Sequence, residues 1–310
     1  MIKMPGKPYS GPLSPLSNEE ITIRDHLEEH VKKLAGEIGE RNFWHYEALG
    51  KAALYIEEAF QKLGYQVLTQ EFLVKGKAMN NIEVQLSGVS SPGEIVLVGA
   101  HYDSVLGSPG ANDNATGTAA VLEIARLLQD RKLARTVHFV AFANEEPPFF
   151  YTKLMGSRAY ARRSRERGEQ IIAMLSIETI GYYSDQEGSQ RYPFPFKFFY
   201  PSTANFIGFV GNISSRDLVY RCIAAFRQHT AFPSEGVSAP GWITGIGWSD
   251  QWSFWKEGYP AIMVTDTALY RYDEYHTTED TPDKIDFART ARVVAGLAKM
   301  VAELSGPVVQ

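Results

Sequence analysis

Apolar positions recur along the 310-residue chain in two rhythms. Early on the rhythm is helical: Ser17-Asn18 followed by Glu19 and Glu20 marks a helix start leading into EEITIRDHLEEHVKKLAGEIG, with Gly36 and Gly39 near its end. ALGKAALYIEEAFQKLGY predicts a second helix that closes at Gly64. YQVLTQEFLV and NIEVQLSG then alternate apolar and polar residues, the period of a half-buried antiparallel pair of strands. From Glu94 onward the runs IVLVGA, TVHFVAFA, AMLSIETIGY and PAIMVTD are continuously apolar, and helical segments such as GTAAVLEIARLLQD and GSRAYARRSRERGE separate them. DFARTARVVAGLAKMVAEL predicts the last helix. Strands with no polar face must be covered on both sides, so the expected fold is α/β: a three-layer α/β/α sandwich around a mixed, mostly parallel central sheet.

Residues 1–18 are rich in Pro, Gly and Ser and are expected to form an extended arm; residues 19–310 are expected to form one domain. The stretch 185–212 is too rich in Pro and aromatics for a regular element and is expected to be a long loop of the functional kind. Composition narrows the partners. At 44% hydrophobic and 22% charged, with a net charge of −5, the chain has globular composition and no basic field to attract nucleic acid or an anionic membrane. A small partner is expected, and the oligomeric state is left open. Nothing approaches the ~20 apolar residues of a membrane span. No leader-like apolar run is visible in MIKMPGKPYSGPLSPLSNEE, so a cytoplasmic location is expected for the chain as written, or export if a leader precedes it. The single cysteine, Cys222, sits on the apolar face of SRDLVYRCIAAFRQH and is expected to pack in the core.

The apolar runs share an ending. EIVLVGA runs into His101-Tyr102-Asp103, TVHFVAFAN into Glu145-Glu146, and AMLSI into Glu178. Ligands of open α/β sheets bind at the carboxyl ends of the strands, so these side chains are expected at one edge. Asp113 joins from the loop before a helix, and His276 from YRYDEYHTTEDTPDKID after the strand PAIMVTD. Singly, each has a bland alternative: Asp113 as a helix N-cap, His101 as a hydrogen-bonded core histidine, Glu145-Glu146 as a solvated strand end. Together, two imidazoles and several carboxylates in one crevice require a cation, and zinc accepts this mixture of nitrogen and oxygen ligands.

HYDSVLGSPGANDNATGTAAVLEIARLL, FVAFANEE, MGSRAYA, SIETIGYYSD, SDQWSFWKEGYPAIMVTDT and YHTTEDTPDKID, in that order, resemble the co-catalytic di-zinc exopeptidase family typified by secreted bacterial leucine aminopeptidases. Glutamate carboxypeptidase, glutaminyl cyclase and the catalytically dead transferrin receptor belong to the same family. The resemblance implies two Zn2+ ions with Asp113 bridging, His101 and Glu178 completing one site, and Glu146 and His276 the other. It implies Asp103 as the carboxylate that orients His101, Glu145 as general base, Tyr275 as a donor to the reaction oxyanion, and a cis peptide after Asp113. The activity implied is that of a zinc-dependent aminopeptidase, residues 19–310 being its catalytic domain, which hydrolyses the first residue from small peptides with a hydroxide bridging the metals.

Two departures stand out: Glu178 occupies a position where the best-known aminopeptidases carry Asp, and PPFFYTKLMGS replaces a shorter Leu-Gly-rich link. Rival readings are a glutaminyl cyclase-like acyltransferase, a carboxypeptidase, and a receptor-type binding domain; the filled ligand set speaks against the last. HLEEH lacks the Glu that a zincin helix carries directly after its first His, so His26 and His30 are expected on a solvated helix face, as is the run RRSRER. His45, His138 and His229 have no matching partners in sequence. The aromatics from Phe194 to Phe209, with Trp242 and Trp248, are expected to wall an apolar pocket for a bulky hydrophobic residue.

Overall fold

A computed structural model describes residues 3–306; the first two residues of the expected arm and the last four of the expected domain lie outside the described residues. Residues 3–17 carry no helix or strand, and Ser17 then starts helix α1 (Asn18–Val31) with a reciprocal cap, its side chain accepting from Glu20 N while the Glu20 side chain accepts from Ser17 N. A wider helical turn over Lys32–Ile38 follows, then α2 (Tyr46–Lys62). The two alternating runs become β1 (Leu68–Val74) and β2 (Lys77–Leu86), paired antiparallel as their period requires.

The continuous apolar runs become β3 (Ser91–His101), β4 (Arg135–Phe142), β5 (Gln170–Glu178) and β8 (Ala261–Thr265), which are mutually parallel. Their composition follows from burial on both faces. Along β3, Val96, Val98 and Ala100 enter one core while Ile95 and Leu97 enter another; along β4, Val137, Phe139 and Ala141 enter the first, and Val140 and Phe142 the second. Each such side chain withdrawn from water contributes roughly 1.5–3 kcal/mol before entropy is charged against it. The first core is closed by α1, α2, α3 (Gly117–Leu128), α5 (Arg216–His229) and α7 (Phe287–Ser305). The second lies under α4 (Gly156–Glu166) and the short α6 (Gln251–Trp255). Cys222 is buried in the first core, as its helix face predicts.

Among the described residues the sheet has eight strands in the order β1-β2-β4-β3-β5-β8-β6-β7, where β6 is Ile207–Gly211 and β7 is Ser234–Ser238; it is mixed and mostly parallel, in a three-layer α/β/α arrangement. One expectation is corrected. The stretch 185–212 is not wholly irregular: Ile207–Gly211 form β6, antiparallel to β8, and β7 (Ser234–Ser238) pairs beside it. Among the described residues no helix is long and apolar enough to cross a membrane. Because β3, β4, β5 and β8 run the same way, their carboxyl ends lie along one edge, and their outgoing loops share a crevice.

Candidate metal centre

That edge gathers the expected residues. β3 ends on His101, β5 ends on Glu178, and Glu145-Glu146 follow β4 by two residues. Asp113 stands in the irregular turn Ala111–Thr116 ahead of α3, and His276 in the loop after β8. His101 Nε2 lies 3.1 Å from Glu178 Oε2 and 3.3 Å from Asp113 Oδ1. The other Asp113 oxygen, Oδ2, lies 3.0 Å from His276 Nε2, which is 3.4 Å from Glu146 Oε2. Asp113 thus faces two separate groups, His101–Asp113–Glu178 and Asp113–Glu146–His276, each with its ligand atoms close enough to hold one ion; His101, Glu145 and Glu146 form a third, overlapping group.

The donor set fits a divalent cation. Glu146 Oε1 is buried without a hydrogen-bond partner, a cost of a few kcal/mol if nothing else satisfies it. Nitrogen and carboxylate oxygen in this mixture suit zinc. Charge points the same way. Burial pushes the Glu145 carboxyl well above its usual range, and Glu178, Asp250 and Asp103 push it further; Glu146 is raised by burial, Asp113 and Glu145. Burial opposes a charged His101, yet Glu178, Glu145, Asp103 and Asp113 outweigh it and raise its pKa. Asp113 is held low against burial by His101 and His276. Negative charge therefore exceeds positive in a buried space, the condition a cation relieves.

A second set of residues holds these side chains in place. Asp103 accepts from Glu145 N at 3.0 Å and Glu146 N at 3.1 Å, and its backbone oxygen and carboxylate lie 3.2 and 3.5 Å from His101 Nδ1, which leaves Nε2 aimed inward. Asp280 accepts from Asn112 N (2.8 Å), Asp113 N (3.1 Å) and the Tyr272 hydroxyl (2.9 Å). Arg41 is fully buried and donates to the backbone oxygens of Tyr102, Pro109 and Gly110, clasping the loop between His101 and Asp113. Asn114 accepts from Gly117 N and Thr179 N and donates to Ile177 O, tying α3 to the end of β5; a Cβ on Gly117 would fall 2.3 Å from the Asn114 side chain. The peptide between Asp113 and Asn114 is cis. His276, Asn144 just before Glu145, and Thr179 just after Glu178 all have left-handed backbones (φ 61°, 66° and 43°), a clustering of uncommon conformations typical of functional sites.

Of these supports only Asp103 is readable as one in advance. Arg41 sits in GERNFW, which carries no motif, because it serves backbone oxygens and not side chains. Asp280, in HTTEDTP, had a signal: a carboxylate inside the very segment that supplies His276. Ser249, which donates to Glu178 Oε2 at 2.6 Å, lies in SDQWSFW without an expected role. Tyr275 stacks on His276 with ring centroids 3.9 Å apart.

The remaining candidates fall outside the centre. His26 lies 3.0 Å from Glu123, and His30 bonds Tyr55 OH at 2.6 Å. His45, His138 and His229 meet Glu40, Glu83 and Glu303 respectively. In the basic run, Arg162, Arg165 and Arg167 are exposed, but Arg163 turns inward to Glu83 at 2.7 Å, which corrects the expectation of a wholly solvated face. An apolar cavity does adjoin Glu178 and Tyr275, lined by Phe196, Tyr200, Phe206 and Trp248. Trp242 is not among its walls: it is 84% exposed and lines a separate hollow with Trp252 and Trp255, so its expected place in the pocket is corrected.

Comparison with known proteins places this geometry in context. The sequence model described as Peptidase family M28 matches residues 81–301. The uncharacterised protein YfbL of Escherichia coli is 36% identical over 286 residues, 89% of this chain and 87% of that one. The probable aminopeptidase YDR415C of Saccharomyces cerevisiae is 26% identical over 72% of this chain, which spans only 57% of that protein's length. Among solved structures, BSAP, a zinc aminopeptidase from Bacillus subtilis, superposes with a TM-score of 0.75 at 16% identity, covering 91% of this chain and 95% of that one. Fimbriiglobus ruber glutaminyl cyclase gives 0.68 at 20% identity, covering 97% and 99%. At such identities the likeness shows the fold.

Proposed function

The chain belongs to peptidase family M28, and from that premise we propose that it is a zinc-dependent aminopeptidase that removes the first residue from small peptides. The observation that carries this reading is the two-sided placement of Asp113, whose oxygens face His101 and Glu178 on one side and His276 and Glu146 on the other. Two zinc ions are proposed, with Asp113 shared, His101 and Glu178 completing one site, and Glu146 and His276 the other. Zinc so held would supply Lewis acidity and an activated water at neutral pH.

The protein's own groups do the rest. Glu145 is the proposed general base: its carboxylate lies outside the two groups that share Asp113, and the hydrogen bond from its backbone N–H to Asp103 fixes where it stands. It takes the proton of the attacking water and passes it to the leaving amine. Asp103 positions Glu145, Glu146 and His101 together, so the base and a ligand from each proposed site are referenced to one carboxylate. Tyr275 is the proposed hydroxyl donor to the developing oxyanion, a role supported by its stacking on His276 and its place in the cavity beside Glu178.

A panel of small peptides, blocked and unblocked at each end and including a glutaminyl peptide, tests this. Unblocked amino termini should be cleaved, activity should vanish on chelation, and zinc should restore it. Cleavage only from the carboxyl end, or cyclisation of the glutaminyl peptide without hydrolysis of the others, would refute the aminopeptidase reading.

A further inference from the structure

The cavity beside Glu178 has a charge at its far end. Strand registers place Glu178 of β5, Thr265 of β8, Gly208 of β6 and Glu235 of β7 opposite one another in a single row across four strands. Residues opposed in this way point to the same face of a sheet, and three strand spacings separate the first from the last by about 14 Å. All four line the same cavity. Between the two carboxylates the floor is low: Thr265 is small and Gly208 has no side chain, where a Cβ would already stand 3.2 Å from Thr265 O. The next row, Met263, Val210 and Val237, is apolar.

Glu235 is out of keeping with these surroundings. It forms no hydrogen bond or ion pair among the described residues, and burial raises its carboxyl, with Arg227 alone pulling the other way. Arg227 is itself committed to Ser234 and to the backbone oxygen of Pro5. The two nearby phenols are spent as well, Tyr192 donating to Pro201 O and Tyr200 to Gly236 O, each at 2.7 Å. A half-buried carboxylate in an apolar channel, with Arg227, Tyr192 and Tyr200 engaged elsewhere, lacks a partner that a ligand can bring.

We propose, resting on the aminopeptidase reading above, that the channel receives the side chain of the substrate's first residue and that Glu235 selects lysine or arginine there. The dimensions agree. An extended lysine side chain spans on the order of 6 Å from Cα to Nζ, and its ion pair with a carboxylate adds about 3 Å. The remainder of the row accommodates the substrate main chain beside Glu178. The aliphatic stem meets Val210, Val237 and Met263, and the ammonium meets Glu235. The expected bulky hydrophobic preference is thereby replaced by an amphipathic one.

Calorimetric binding of L-lysinamide and L-norleucinamide to the zinc-loaded protein tests this, because the two amides share an aliphatic chain and differ in the terminal amine. Lysinamide should bind about tenfold or more tightly, and in Glu235→Gln the ratio should fall toward one. Equal affinities, binding of neither amide, or a lysine preference that survives Glu235→Gln would overturn the proposal; the comparison on the native protein decides it even if the variant folds poorly. Turnover of lysyl and leucyl peptides is a separate readout. Failure to cleave either refutes the aminopeptidase reading, whereas the amide ratio alone judges Glu235.

Discussion

Asp113 shows how much one residue's surroundings decide. Its side chain meets an imidazole at each oxygen, its backbone N–H is held by Asp280, and the loop before it is clasped by Arg41. Glu145 differs from the proposed ligands in its proposed task, that of general base, so its replacement separates chemistry from metal binding. Glu145→Gln keeps the shape and the backbone contact with Asp103 but cannot take a proton; kcat should fall by about 10²- to 10⁴-fold, the usual worth of a general base, with zinc content unchanged. Steady-state kinetics beside metal analysis checks both halves, and native-like turnover in that variant would remove Glu145 from the mechanism. The gathered residues were legible because each ends a strongly apolar run or sits in a motif of fixed order. Arg41 and Ser249 were not, since a donor to backbone oxygens or to one carboxylate leaves no periodic trace.

At the scale of elements, helix α4 is pinned to the sheet by a buried charged cluster. Glu83 of β2 accepts from Tyr160 OH at 2.8 Å and from Arg163 at 2.7 Å, both on α4, and meets His138 of β4 at 3.0 Å. Burial alone would raise the Glu83 carboxyl, but His138, Arg163 and the Tyr160 hydroxyl together hold it at about 2 against an ordinary 4.5. A depressed carboxylate stabilises the fold above its unfolded pKa and loses that contribution as pH falls through the folded value, so the window runs from 4.5 down to about 2. Glu83→Gln should therefore cost about 3 kcal/mol at pH 7 and less than half as much at pH 3, read as the difference in urea midpoints between native and variant. A cost that does not change with pH would contradict the assigned ionisation. The same scale explains what sequence left hidden. β3, β4, β5 and β8 are buried on both faces and read as apolar runs, whereas β7, SEGVS, is a polar five-residue edge strand with Met4 of the arm packed against Gly236. Its partner β6 is also five residues and carries two glycines, so neither has enough alternation to be seen.

For the molecule as a whole, three parallel strands, β3, β4 and β5, direct one imidazole and several acids toward one edge, and the loops before α3 and after β8 bring Asp113 and the second imidazole. A core on each face of the sheet makes that edge rigid, so the acids cannot relax apart to relieve their repulsion. Folding such a cluster without a counter-charge is expensive, and an ion bound to the native state alone returns that cost as stability. The most direct measurement is the location and number of zinc ions in the zinc-replete protein by anomalous X-ray diffraction. Two peaks should flank Asp113, one touching His101 and Glu178 and the other Glu146 and His276, and Asp113→Ala should lose at least one of them. A crevice without zinc, with these side chains turned away from one another, would contradict the account.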